Sequence, residues 1–159
     1  MPVIALSRQG LEFLKRHEGF REHMYDDTAG HCTVGSGHLV HRGPRGTDPV
    51  PDAPCVLGLP EPAAAVYLAK DTQAAQAGVR TWFTRPLQQT EFDALVSFTF
   101  NVGVGAMAHS TLTRRINSLA TPDAIEQAWL MWRRPASIMG RRRDEVRLFL
   151  EGNYGGPVS

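Results

Sequence analysis

Within 21 residues this chain sets two acids and a hydroxyl at spacings suited to acid–base hydrolysis. Glu18 stands beside Gly19. Asp27 follows nine residues later, in the polar run Tyr25-Asp26-Asp27-Thr28 ahead of Gly30. Thr33 comes six residues after that, among Gly35, Gly37 and His38. Two carboxylates in different surroundings can divide the work, one protonating a leaving group and the other activating a water that the hydroxyl holds. Those are the minimal parts for cutting a glycosidic bond. Taken singly, each residue has an ordinary reading: an exposed glutamate, an aspartate favoured by turns, a strand threonine, a structural histidine. Order and spacing together single them out.

The elements that must position these residues follow from periodicity and punctuation. Ser7 is a plausible N-cap, Leu11, Phe13 and Leu14 supply an apolar face, and Gly19 ends the helix. Glu18 is thereby set at a helix C-terminus, whose partial negative charge favours the protonated carboxyl that a general acid needs. Residues 24–41 alternate and are broken by glycines, which predicts a short antiparallel hairpin or meander. Residues 42–62 hold six of the eleven prolines and cannot be regular helix.

From there the pattern is helical. Ala63 to Ala77 is alanine-rich, and Thr90 is expected to cap a helix whose Phe92, Leu95, Val96, Phe98 and Phe100 are too dense for a surface stripe. Ser110 or Thr111 starts another helix, Thr121-Pro122 opens one through Trp129 and Trp132, and a last one runs near Arg141 to Glu151 before Gly152. The predicted class is α+β and mostly helical: a small N-terminal lobe with a hairpin or meander, then a larger C-terminal helical lobe.

Bulk properties exclude several alternatives. Hydrophobic residues at 42% and charged residues at 21% describe an ordinary globular chain. No window is long and apolar enough for a membrane span, and Met1-Pro2-Val3-Ile4-Ala5-Leu6 lacks the basic region and length of a signal peptide. Residues 112–150 carry eight arginines against four acids, which favours an anionic partner or a solvated helix face; no nucleic-acid-binding motif accompanies them, and none is expected to bind. Cys32 and Cys55 make no metal pattern, the six histidines show no ligand spacing, and neither metal nor cofactor is expected. The two thiols are either reduced or, in an oxidising compartment, joined as a clasp.

The run E-G-x-R-x-x-x-Y-x-D-x-x-G-x-x-T-x-G-x-G-H, met at every fixed position from Glu18 to His38, resembles the signature of phage-type lysozymes, the T4-like endolysin family (glycoside hydrolase family 24). Further similarity lies at Leu95-Val96-Ser97-Phe98, Phe100-Asn101-Val102-Gly103, Ser110-Thr111-Leu112, Asn117, Trp129 and Arg141-Arg142 with Glu145, Leu148 and Phe149. The resemblance implies a lysozyme-like fold over residues 1–159, with lobes at roughly 1–62 and 63–159 and an active-site cleft between them.

It also implies a muramidase that cuts the β-1,4 bond between N-acetylmuramic acid and N-acetylglucosamine. Glu18 would be the general acid, Asp27 the second carboxylate and Thr33 the holder of the water, with inversion at the anomeric carbon. His38 would pair with an acid of the following helix, here Asp71. Arg141 would approach the catalytic glutamate, opposing the helix-end effect on it, and Asn101 would line the sugar groove. Such a protein is expected to be monomeric, to bind peptidoglycan glycan strands without inserting in a membrane, and to be made in the cytoplasm without a signal peptide. It would act on the periplasmic wall, reached through a holin. An injected antibacterial muramidase effector, or a non-catalytic peptidoglycan-binding protein of this fold, would carry similar features. The proline-rich 42–62 segment departs from the family pattern, as a lip over the groove or as an inert insertion.

Overall fold

The computed structural model describes residues 3–46 and 58–156; Cys55 and most of the proline-rich segment lie outside the described residues. The chain packs into two compact units, Leu14–Asp71 and the combination of Met1–Phe13 with Thr72–Ser159. Helix α1 (Arg8–Glu18) contributes to both. Ser7 caps it as expected, its Oγ accepting from the Gly10 N–H at 2.9 Å and its carbonyl from the Leu11 N–H at 2.9 Å. Gly19 ends it with φ 71°, a left-handed conformation costly for any side chain that carries a Cβ.

The Leu14–Asp71 unit is built on a three-stranded antiparallel meander, β1 (Arg21–Asp26), β2 (Cys32–Gly35) and β3 (His38–His41), in the order β1-β2-β3. Tyr25 pairs with Thr33, and Asp26 with Cys32; on the other side Thr33 pairs with Leu39 and Val34 with His38. β2 is buried along its whole length. Helix α2 (Glu61–Asp71) covers the sheet, burying Ala64 and Leu68. Val34, Leu59 and Ala64 form the centre of this small core, with Met24, Val40, Ala63 and Tyr67 packed around it. Gly35 makes the contact possible: a Cβ there would stand 3.0 Å from both Ala64 Cβ and Leu59 Cδ2, at a φ of +66°.

The larger unit is helical. α3 (Gln73–Trp82) follows α2 after a break at Thr72, so the alanine-rich stretch forms two helices. α4 (Gln89–Val102) is buried continuously from Phe92 to Thr99, as its apolar density predicts for a central helix. Its cap is Gln88, with Glu91 completing a capping box, and Thr90 lies inside the first turn. α5 (Val104–Ala108) is a single short turn. α6 (Thr111–Asn117) is capped by Ser110, and α7 (Pro122–Leu130) by Thr121 with Pro122 in the first turn. A 3₁₀ turn (Ala136–Ile138) leads into α8 (Met139–Glu151), which stops at left-handed Gly152. Phe98, Trp129, Trp132 and Phe149 pack edge to face or tilted, with ring centres 5.3–5.5 Å apart.

Candidate active site

Asp27 opens a tight turn between β1 and β2, and that turn fixes its carboxylate. Oδ1 accepts from the backbone N–H groups of Ala29 and His31, both at 2.9 Å. The backbone closes the same loop, with Asp27 N–H donating to the His31 carbonyl and Gly30 N–H to the Asp27 carbonyl, each at 2.9 Å. Thr33 Oγ1 lies 3.3 Å from Asp27 Oδ2 and 3.1 Å from the His31 carbonyl. The amide of His31, above all, holds the Asp27 carboxyl below its usual range against the opposing effect of desolvation; the Ala29 amide, the Thr33 hydroxyl and the His31 charge add to it. Asp27 is therefore ionised wherever ordinary carboxylates are.

Thr33 is 3% exposed. Its single hydroxyl hydrogen has two acceptors within reach, which leaves an oxygen lone pair to receive a hydrogen bond. A water donating to Thr33 Oγ1 and to Asp27 Oδ2 would be gripped by both.

Glu18 is the last residue of α1 and half-buried. A Cβ placed on Gly37 would stand 3.5 Å from Glu18 Oε2, so the β2–β3 turn passes beside that carboxylate. Tyr25 senses both acids. Burial raises its hydroxyl's pKa, the Arg21 guanidinium 4.5 Å over its ring opposes this, and Asp27 and Glu18 push it further up. Glu18, Asp27 and Thr33 thus belong to one compact unit, around one phenol.

In the same unit His38 Nδ1 lies 2.7 Å from Asp71 Oδ2. The His38 ring also meets Tyr67 edge-on at 4.6 Å, tying the start of β3 to the end of α2. Cys32 is wholly buried with its sulfur 3.6 Å from that of Met24. Burial pushes its thiol's pKa up, with Asp26 adding and Arg45 opposing, so the neutral thiol is the resting form.

Arg141 and Asn101 belong to the helical unit and enter a buried polar network there. Glu145, fully buried, accepts from Ser97 Oγ at 2.8 Å, Trp129 Nε1 at 3.0 Å, Arg141 Nε at 3.1 Å and Arg142 Nη1. Arg141 Nη2 also donates to the Ser97 carbonyl at 3.0 Å, and Arg142 Nη2 donates to Asn101 Oδ1. Two of the eight arginines of the basic segment are thus structural, and Arg147 pairs with Asp144 at 3.5 Å.

Sequence reasoning assigned no role to Tyr25, His31 or Glu145. Tyr25 lay inside the signature and Glu145 inside the matching C-terminal stretch, three and four residues from its two arginines; His31 is identified by hydrogen bonds to Asp27, Thr33 and Gly43 that its residue type does not announce. Among the described residues, no group of three or more His, Cys, Asp or Glu side chains is arranged to hold a metal ion, and no helix is long and apolar enough to cross a membrane.

A model of the phage lysozyme family matches residues 15–145. The endolysin of Salmonella phage P22 is 33% identical over 154 residues, spanning 93% of this chain and 99% of that protein. Among solved structures, the endolysin of Escherichia coli O157:H7 phage FAHEc1 superposes with a TM-score of 0.83 at 28% identity, covering 98% of this chain and 99% of that one. The muramidase domain of SpmX from Asticaccaulis excentricus does so with a TM-score of 0.76 at 29% identity, covering 92% and 97%.

Proposed function

This chain belongs to the phage lysozyme family, and we propose on that premise that it is an endolysin whose muramidase activity hydrolyses the β-1,4 bond between N-acetylmuramic acid and N-acetylglucosamine in peptidoglycan. The observation that carries the reading is the pairing of Asp27 Oδ2 with Thr33 Oγ1 in the unit that also holds Glu18. Glu18 donates its proton to the glycosidic oxygen as the bond to the anomeric carbon breaks. Asp27 takes a proton from the water that Thr33 orients, and the resulting oxygen nucleophile attacks the anomeric carbon from the opposite face. Both carboxyls then exchange protons with solvent. Attack by water rather than by Asp27 inverts the centre. The engagement of Asp27 Oδ1 by two amides supports that choice, because it ties the carboxylate to its turn.

Residues 1–159 act in this reading as one catalytic domain. Asn101 supports glycan binding, Arg141 has a supporting structural role, and the His38–Asp71 pair braces the sheet. The protein works as a monomer on the periplasmic wall after cytoplasmic synthesis and holin-dependent release. No nucleic-acid partner is proposed, since Arg141 and Arg142 are buried against Glu145 rather than displayed.

Glu18→Gln is isosteric and lacks the acidic proton. It is expected to keep the parental circular dichroism while clearance of permeabilised Gram-negative cells falls by roughly 10²–10⁴-fold. Activity within about tenfold of the parent rejects Glu18 as the acid. The parent enzyme should release the α-anomer first from a soluble glycan fragment, and a β-anomer as first product would overturn inversion.

A further inference from the structure

His31 has a position that its neighbours in the signature do not explain. Its backbone N–H donates to Asp27 Oδ1, and its carbonyl accepts from the Asp27 N–H and from Thr33 Oγ1. Peptide groups of one residue thus hold both the acid and the hydroxyl of the proposed site. None of that requires an imidazole, but the side chain makes a separate contact. His31 Nδ1 accepts from the Gly43 N–H at 3.0 Å, and the Gly43 carbonyl accepts from the Cys32 N–H at 2.9 Å.

The stretch that contains Gly43 is held from its other end as well. Arg45 N–H donates to Asp26 Oδ1 at 2.8 Å, and its Nη1 donates to the Met24 carbonyl at 3.2 Å. Residues 42–46, leaving β3, therefore lie across the turn that carries Asp27.

We propose that His31 is a positioning residue for Asp27 and Thr33, its imidazole clamping residues 42–46 across the β1–β2 turn and so holding the two groups that grip the water. The inference rests on the reading of Asp27 as the water-activating carboxylate. It makes the clamp dependent on protonation. Nδ1 accepts a hydrogen bond while it carries a lone pair, which places the proton of the neutral ring on Nε2. A proton on Nδ1 would set two N–H groups face to face and open the clamp. The charged groups tied to this arrangement are Asp27, which interacts electrostatically with His31, and Asp26 and Arg45, which join the clamped stretch to β1.

The test compares His31→Asn, whose amide oxygen can replace Nδ1 as acceptor without titrating, with His31→Leu, which has no acceptor. Turnover is measured on a soluble glycan fragment from about pH 7 to about pH 5. His31→Leu is expected to lose about tenfold or more in kcat, with KM little changed, through misplacement of the water-holding pair. His31→Asn should keep parental kcat at pH 7. The parent should lose kcat on acidification and His31→Asn should not. Asp27 is ionised throughout that window, and a protonated Glu18 is the form the reaction uses, so neither acid accounts for such a loss.

Parental kcat in His31→Leu, or the same acid profile in the parent and His31→Asn, overturns the clamp. Should His31→Leu fail to fold, the comparison of pH profiles decides alone. Asp27→Asn serves as the control on the underlying reading. If it retains parental turnover, the site assignment falls. If it is inactive while both His31 variants match the parent, the clamp alone falls.

Discussion

Glu145 is a carboxylate with no exposed surface, met by two guanidiniums, an indole N–H and a serine hydroxyl. A charge taken so far from water is tolerable when every lone pair is engaged, and here each oxygen has two donors. Removing the charge leaves Arg142, 1% exposed, without its counter-ion. Glu145→Gln also turns an amide N–H₂ toward donors. Chemical denaturation should show a loss of about 3–5 kcal/mol, the usual consequence of breaking a buried pair from one side. A loss below about 1 kcal/mol would mean that the network is no tighter than a surface pair.

Elements with local punctuation were legible in the sequence. Ser7 and Gly19 bracket α1, Ser110 caps α6, Thr121-Pro122 opens α7 and Gly152 closes α8, each through one or two residues with a definite backbone preference. Elements without such signals were not. Gln88 rather than Thr90 caps α4, because its cap depends on a reciprocal bond with Glu91 that residue type alone does not announce. The break at buried Thr72 is invisible to propensity summed over an alanine-rich window, and five-residue α5 is too short to show a period. The same limit governs the candidate site. Asp27 and Thr33 meet within six residues, and the turn chemistry predicted a polar loop there. Asp71 lies 33 residues from His38, and that pairing came from family resemblance, not from spacing. His31 needed Gly43, and Glu145 needed Ser97, before either could be recognised.

At the scale of the whole chain, the helical unit draws its first and last described stretches to one buried acid. Asp93, fully buried, accepts from Tyr154 OH at 2.7 Å, from the Ser7 N–H at 3.1 Å and from Ser7 Oγ. Gly10 permits this closeness, since a Cβ there would fall 2.5 Å from Asp93 Cγ. Burial, chiefly, pushes the Tyr154 hydroxyl up to about 12; Asp93 adds to this and the Ser7 bond opposes it. The folded protein therefore holds that proton after the unfolded chain, near an ordinary tyrosine value of about 10, has begun to release it. The resulting stabilisation is complete below about pH 10 and disappears as pH rises toward about 12. Thermal melts across that interval should show a steeper alkaline decline for the parent than for Tyr154→Phe. Parallel declines would remove Tyr154 from the alkaline behaviour.

The two oxygens of an isolated carboxylate exchange places by rotation and are chemically identical. Those of Asp27 are not, because two amide hydrogens fasten Oδ1 while Oδ2 faces the hydroxyl. The group has a front and a back. A base working on water must accept a proton and shed it before the next glycan arrives, and in the role proposed for Asp27 this carboxylate would have a single seat for that proton. In the proposed reaction each turnover would repeat one atomic route, in and out through the same oxygen, and the carboxylate would return to its starting state without turning a bond.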